Sequence, residues 1–121
     1  MNLVQIRTTF TKLSGRLDLV DEYGNDNGAD FFINGGIRLL NRLTCDHFKV
    51  NAYELEDDED ECCWSTEHPD ILVHAALHRL EVSYRNTQGA NDWLAAVKYD
   101  LANLDMEWVE EDIADLDQME G

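Results

Sequence analysis

Pro69-Asp-Ile-Leu-Val-His-Ala-Ala-Leu-His-Arg-Leu-Glu-Val-Ser-Tyr-Arg-Asn86 decides the fold. Ile71, Leu72, Val73, Ala75, Ala76, Leu77, Leu80, Val82 and Tyr84 cover most of a helical circumference. A helix apolar over so wide an arc belongs at the centre of a core, with other helices packed round it. Pro69 is the chain's single proline and fits a first helical turn, where the missing N–H is no loss. Gln88-Gly89 reads as the end of this helix.

Working outward, Leu3, Val4, Ile6, Phe10 and Leu13 recur at three- and four-residue steps, and Gly15 stands where a C-terminal cap belongs. This predicts a first amphipathic helix. Tyr23-Gly-Asn-Asp-Asn-Gly28 is turn chemistry. A second helix is predicted from about Ala29 to Leu43, with Phe32, Ile33, Ile37, Leu40 and Leu43 inward and Asn27 or Asp26 as cap. Gly35-Gly36 inside it implies either close backbone packing or a kink. Phe48, Val50 and Ala52 alternate with polar residues, so a short strand or extended segment is expected over His47–Leu55. Beyond Gly89, a fourth helix carries Trp93, Leu94, Val97, Leu101 and Leu104, and Asp105 caps a last short one with Trp108, Val109, Ile113 and Leu116. The expected fold is mainly α: one domain over residues 1–121, a bundle of four to five helices. An acidic loop occupies 54–67, and an acidic tail, ordered on assembly, occupies 105–121.

With 26 acidic against 9 basic residues, the net charge is −17, which argues against a cationic grip on nucleic acid. The charge is lopsided. Residues 1–53 hold six cations and six carboxylates; the rest hold three cations and twenty carboxylates. Seven of the eight residues from Glu54 to Glu61 are acidic, and the tail from Asp105 to Glu120 has eight carboxylates and no cation. Such runs are either solvated or surfaces that repel phosphate or meet a basic partner. No apolar run approaches the roughly 18 residues that span a bilayer, so no membrane partner is expected. Met1–Phe10 lack the pattern of a secretory signal. Cys45, Cys62 and Cys63 make a disulfide scaffold improbable.

Sites for chemistry do not assemble. Asp21–Asp30 fails the register of a calcium loop, with Tyr23 and Asn34 where acidic ligands are needed. Cys45, His47, Cys62, Cys63 and His68 match no zinc spacing. His74 and His78 lie one turn apart but lack the adjacent acid of a zinc-protease helix, and read as boundary histidines. No nucleophile motif or phosphate-binding glycine loop occurs, so no enzyme, metal or cofactor is expected. Trp93 is assigned to the core, and Trp64 to either core or interface.

Three segments together resemble a family. They are Lys12-Leu-Ser-Gly-Arg-Leu-Asp-Leu-Val20; Asp26-Asn-Gly-Ala-Asp-Phe-Phe-Ile-Asn34 with Arg38-Leu-Leu-Asn-Arg42; and His68-Pro-Asp-Ile-Leu72 running on to Leu80-Glu-Val-Ser-Tyr-Arg-Asn-Thr-Gln-Gly89. Over about two-thirds of the chain they are similar to the head–tail connector, or adaptor, proteins of tailed bacteriophages. The resemblance implies a small helical protein forming a ring, commonly of twelve copies, at the head–tail junction of the virion and assembled in the host cytoplasm. Implied partners are other copies of the chain, the portal, a tail or second neck protein, and double-stranded DNA passing without sequence-specific contact. Longer relatives carry a β-rich segment where only Thr44–Tyr53 stands here, so the faces meeting portal and tail are not carried over. In a head-to-tail ring, Arg7, Lys12, Arg16, Arg38 and Arg42 could meet a neighbour's acidic run. The expected interface set is Arg7, Arg16, Arg38, Arg42, Phe48, Val50, Tyr53, Glu54, Asp57, Asp58, Trp64 and Trp108. The competing expectation is a small acidic binding module, such as a DNA mimic that blocks a basic nucleic-acid-binding partner.

Overall fold

The computed structural model describes residues 1–44 and 52–120, the last sixteen of these by backbone alone. The described chain is a helical bundle: α1 (Leu3–Ser14), a 3-10 turn (Leu17–Leu19), α2 (Ala29–Thr44), α3 (Cys63–Glu67), α4 (Pro69–Ser83) and α5 (Thr87–Glu120). Helix α4 is the hub, since α2 and α5 pack chiefly against it, and α1 and α3 also touch it. Ile71, Leu72, Val73, Ala75, Ala76, Leu77 and Leu80 are all buried there. Leu3, Ile6 and Phe10 of α1, Ile33, Ile37 and Leu40 of α2, and Val97 of α5 complete the core. Gly36 explains how closely α2 approaches: a Cβ added there would lie 2.9 Å from the Ala76 backbone nitrogen. The glycine pair therefore serves close packing. No described helix is long and apolar enough to cross a membrane.

Two helix boundaries differ from expectation. Helix α4 ends at Ser83, not at Gly89, through a motif that needs one left-handed residue. The Asn86 N–H donates to the Glu81 carbonyl (3.1 Å) and the Arg85 N–H to the Val82 carbonyl (3.0 Å). Arg85 takes the left-handed position with φ 58°, although glycine is the usual occupant. Gly89 instead lies in the first turn of α5. The expected fourth and fifth helices are one continuous helix, with no break at Asp105.

The expected strand also takes another form. Its first part, with Phe48 and Val50, lies outside the described residues. Ala52 and Leu55 are described, and their backbones pair with side chains. The Asn41 amide donates to the Ala52 carbonyl and accepts its N–H, both at 2.9 Å. Asn34 does the same for Leu55, at 2.9 and 2.8 Å. Two asparagines two turns apart on α2 thus act as the neighbouring strand.

The acidic run that follows is fastened to α1. An α-helix starts with N–H groups that have no partner of their own. Here the Leu3 N–H donates to the Asp60 carbonyl (3.1 Å) and the Val4 N–H to that of Asp58 (3.2 Å). The Asn2 side chain accepts from the Gln5 N–H, and the Gln5 side chain accepts from the Asn2 N–H. The carboxylates therefore collect at the positive end of the α1 dipole.

Candidate interaction surface

Arg7 organises the junction of the turn, α2 and the acidic run. Its guanidinium is 2% exposed. It grips Asp30 with two parallel hydrogen bonds of 2.8 and 2.9 Å, and also reaches the Gly24 carbonyl and Asp58, each at 3.1 Å. The hydrogen bonds that Arg7 donates to Asp30, then the Asp30 charge and the hydrogen bond and charge of Asp58, raise the Arg7 pKa against the opposing effect of burial. The turn before α2 is held by carboxylates as well. Asp21 accepts the N–H groups of Tyr23 and Asn25, which lower its pKa, the Asn25 bond foremost. Asp26 accepts those of Gly28 and Asp30, so the cap comes from Asp26 while Asn27 donates to the Asp18 carbonyl.

Arg7 and Arg38 were expected to meet a neighbour's acidic run. Both find that run within their own chain: Arg7 pairs with Asp58 and Arg38 with Glu54. A segment tethered to the same core outcompetes a second molecule because its effective concentration is far higher. Arg16 is also engaged, gripping Asp18 through two hydrogen bonds of 2.7 Å and lying over the Tyr84 ring at 5.3 Å. Trp64 belongs to the core at 1% exposure, its indole N–H directed at Asn41 Oδ1 (3.4 Å). Tyr53 and Asp57 stand exposed on the acidic loop, and Arg42 has a partner of its own. Phe48, Val50 and the Trp108 side chain lie outside the described residues, as do Cys45 and His47.

The histidines face α5. His74 contacts Asp100 at 3.3 Å and stacks against Trp93, which is half-buried rather than fully in the core. His78 Nδ1 donates to the Ala90 carbonyl at 2.7 Å. Glu67, His68, Asp70, His74 and Asp100 line an open cleft of about 310 Å³. Among the described residues, no three His, Cys, Asp or Glu side chains converge on a point that could hold a metal ion. Cys63 is exposed as a residue, yet partial desolvation of its thiol, followed by the neighbouring Cys62, pushes its pKa up, which disfavours the reactive thiolate.

A second surface was not foreseen. At the start of α2 and the end of α4, Phe31, Phe32, Gly35, Arg38, Arg79, Val82 and Ser83 line a groove of about 170 Å³. Phe31 is 69% and Val82 47% exposed, and Tyr84, two residues on, is open as well. A sequence signal existed. Adjacent residues on a helix point about 100° apart, so Phe31 and Phe32 cannot both face one core. Phe32 packs on Phe10, while Phe31 sits edge-on against Phe32 from outside. The arrangement offers aromatic surface beside guanidinium groups, which suits recognition of acidic, apolar segments. Comparisons with protein-family models, curated proteins and solved structures give no significant match to this chain.

Proposed function

We propose that this chain is a non-enzymatic structural protein of a phage virion: a ring-forming head–tail connector that docks below the portal and extends the DNA channel toward the tail. The observation that carries this reading is the asymmetry of the surface. Exposed apolar residues with arginines occupy one end of the α2–α4 pair, and carboxylates dominate the C-terminal half. Two unlike patches on one chain are what a ring needs, because each copy then meets the next through different faces. The charge supports the same reading. Double-stranded DNA carries about one charge per 1.7 Å of axis, so a negatively lined channel lets it slide without adhering. Light scattering of the purified chain with and without portal protein, together with electron microscopy of virions, tests this. Rings and density in the phage neck are expected. A chain that stays monomeric with portal and is missing from virions overturns it.

One feature favours the second reading, an acidic module that blocks a basic nucleic-acid-binding partner. The Glu54–Glu61 run is fixed against α1 by backbone hydrogen bonds, so its outward carboxylates keep a defined arrangement. Capture of a nuclease or repressor by the full chain, reversed by DNA, would favour this alternative.

A further inference from the structure

We propose that the groove between the start of α2 and the end of α4 receives the C-terminal segment of α5 from a second copy of this chain. The proposal rests on the ring reading above and names the contact that would build the ring. The groove supplies aromatic walls from Phe31 and Phe32, an apolar floor from Val82, and the guanidinium groups of Arg38 and Arg79. Glu54 compensates Arg38, but Arg79 forms no ion pair with any described residue. Gly35 makes room for it: a Cβ there would come within 3.3 Å of Arg79 Nε. The Asp105–Glu120 segment is its complement in charge, with eight carboxylates and no cation. Its backbone is helical. At helical spacing, Val109, Ile113 and Leu116 form one apolar stripe, flanked by Asp112 on one side and Glu110 and Asp117 on the other. An amphipathic helix laid in an apolar groove, with its charged borders on opposite charge at the rim, is a recurrent mode of recognition.

Geometry excludes the chain's own segment as occupant. Helices α4 and α5 run antiparallel, since Ala90 meets His78 while Asp100 meets His74. Leu104 therefore lies near the start of α4, whereas the groove is at its end. At 1.5 Å per residue, roughly 18 Å of α4 separates these levels, and α5 carries Ile113 roughly 13 Å farther away. A continuous helix cannot double back over that distance, so the segment reaches a groove only on another copy. The contact is head-to-tail, which closes into a ring or propagates as a filament according to its angle.

Full-length variants test this by complementation. Phe31→Asp/Val82→Asp spoils the groove at two exposed positions, and Val109→Asp/Ile113→Asp/Leu116→Asp spoils the segment. Sedimentation velocity should find wild type associating as concentration rises and each variant monomeric. An equimolar mixture of the two variants should give a heterodimer and nothing larger, because one intact groove meets one intact segment. Circular dichroism confirms that each variant keeps its helices. Arg79→Gln, a milder change, should weaken association about tenfold, and added salt should weaken it further. A wild type that is monomeric throughout, a variant that associates like wild type, or a mixture without heterodimer overturns the proposal. Rings that persist in both variants would sink this contact while leaving the connector reading in place, whereas absence of the chain from virions sinks that reading itself.

Discussion

Asn34 and Asn41 do for the chain what a neighbouring strand would have done. Each side-chain amide matches one backbone N–H and one C=O, so Ala52 and Leu55 are satisfied without a sheet. Leaving such part-buried groups unpaired costs about 1–3 kcal/mol. Asn34→Ala should therefore lower stability by about that amount in urea titration, and speed hydrogen exchange at the Leu55 amide far more than at Ile37. Unchanged Leu55 protection would rule the pairing out. Asp60 holds the acidic loop by another route. Its Oδ2 accepts the N–H groups of Asp57 and Glu56, which hold its pKa below the ordinary carboxylate value, the Asp57 bond foremost. With a folded pKa below the unfolded one, this contribution is complete above about pH 4 and is lost as pH falls through the folded value. An NMR titration should give Asp60 a midpoint below that of an unstructured aspartate, with the Glu56 and Asp57 amide shifts moving at the same pH. A midpoint at or above the ordinary value contradicts this account.

At the scale of elements, the two adjacent glycines of α2 are not equivalent. A methyl group at Gly36 meets the α4 backbone at 2.9 Å, which cannot move without separating the helices, whereas at Gly35 it meets the flexible Arg79 side chain. Overpacking of a rigid contact costs typically 1–3 kcal/mol, while Gly to Ala in a helix gains about 1 kcal/mol. Gly36→Ala should lower the melting temperature, and Gly35→Ala should leave it unchanged or raise it. Equal effects at both sites would show that the close approach of α2 to α4 is misplaced. The α4–α5 junction teaches a related lesson. Gly89 is the residue best able to end a helix, yet the chain turns at Arg85. The signal is nonlocal: His78 must meet Ala90, and Trp93 must meet His74, which fixes where α5 returns along α4.

For the whole molecule, charge is the dominant tension. A net charge of −17 on 121 residues opposes compaction through self-repulsion. Part of it is absorbed where Arg7 and Arg38 take up Asp30, Asp58 and Glu54. The remainder responds to ions. Raising ionic strength from about 0.01 M to about 0.15 M shortens the screening length from roughly 30 Å to roughly 8 Å. The melting temperature of the isolated chain should rise over that range by calorimetry. A fall would mean that the ion pairs outweigh the repulsion. Salt thus stabilises each copy and weakens the contact proposed between copies, so fold and assembly should respond in opposite directions.

Readable from the chain alone were the mainly helical class, the central place of the helix that begins at Pro69, the first two helices with the Gly15 cap, and the lopsided charge. These follow from local periodicity and composition, which need no knowledge of neighbours. Packing in three dimensions settled the rest: Arg7 and Trp64 are internal, asparagines replace a strand, α5 is unbroken, and Phe31 is left outside beside Arg79. Each depends on which distant residues arrive at the same place: a charge is an interface residue or a buried one according to whether Asp30 and Asp58 reach it first. The groove is the clearest case, because its walls lie about fifty residues apart in the chain and meet only when α2 crosses α4.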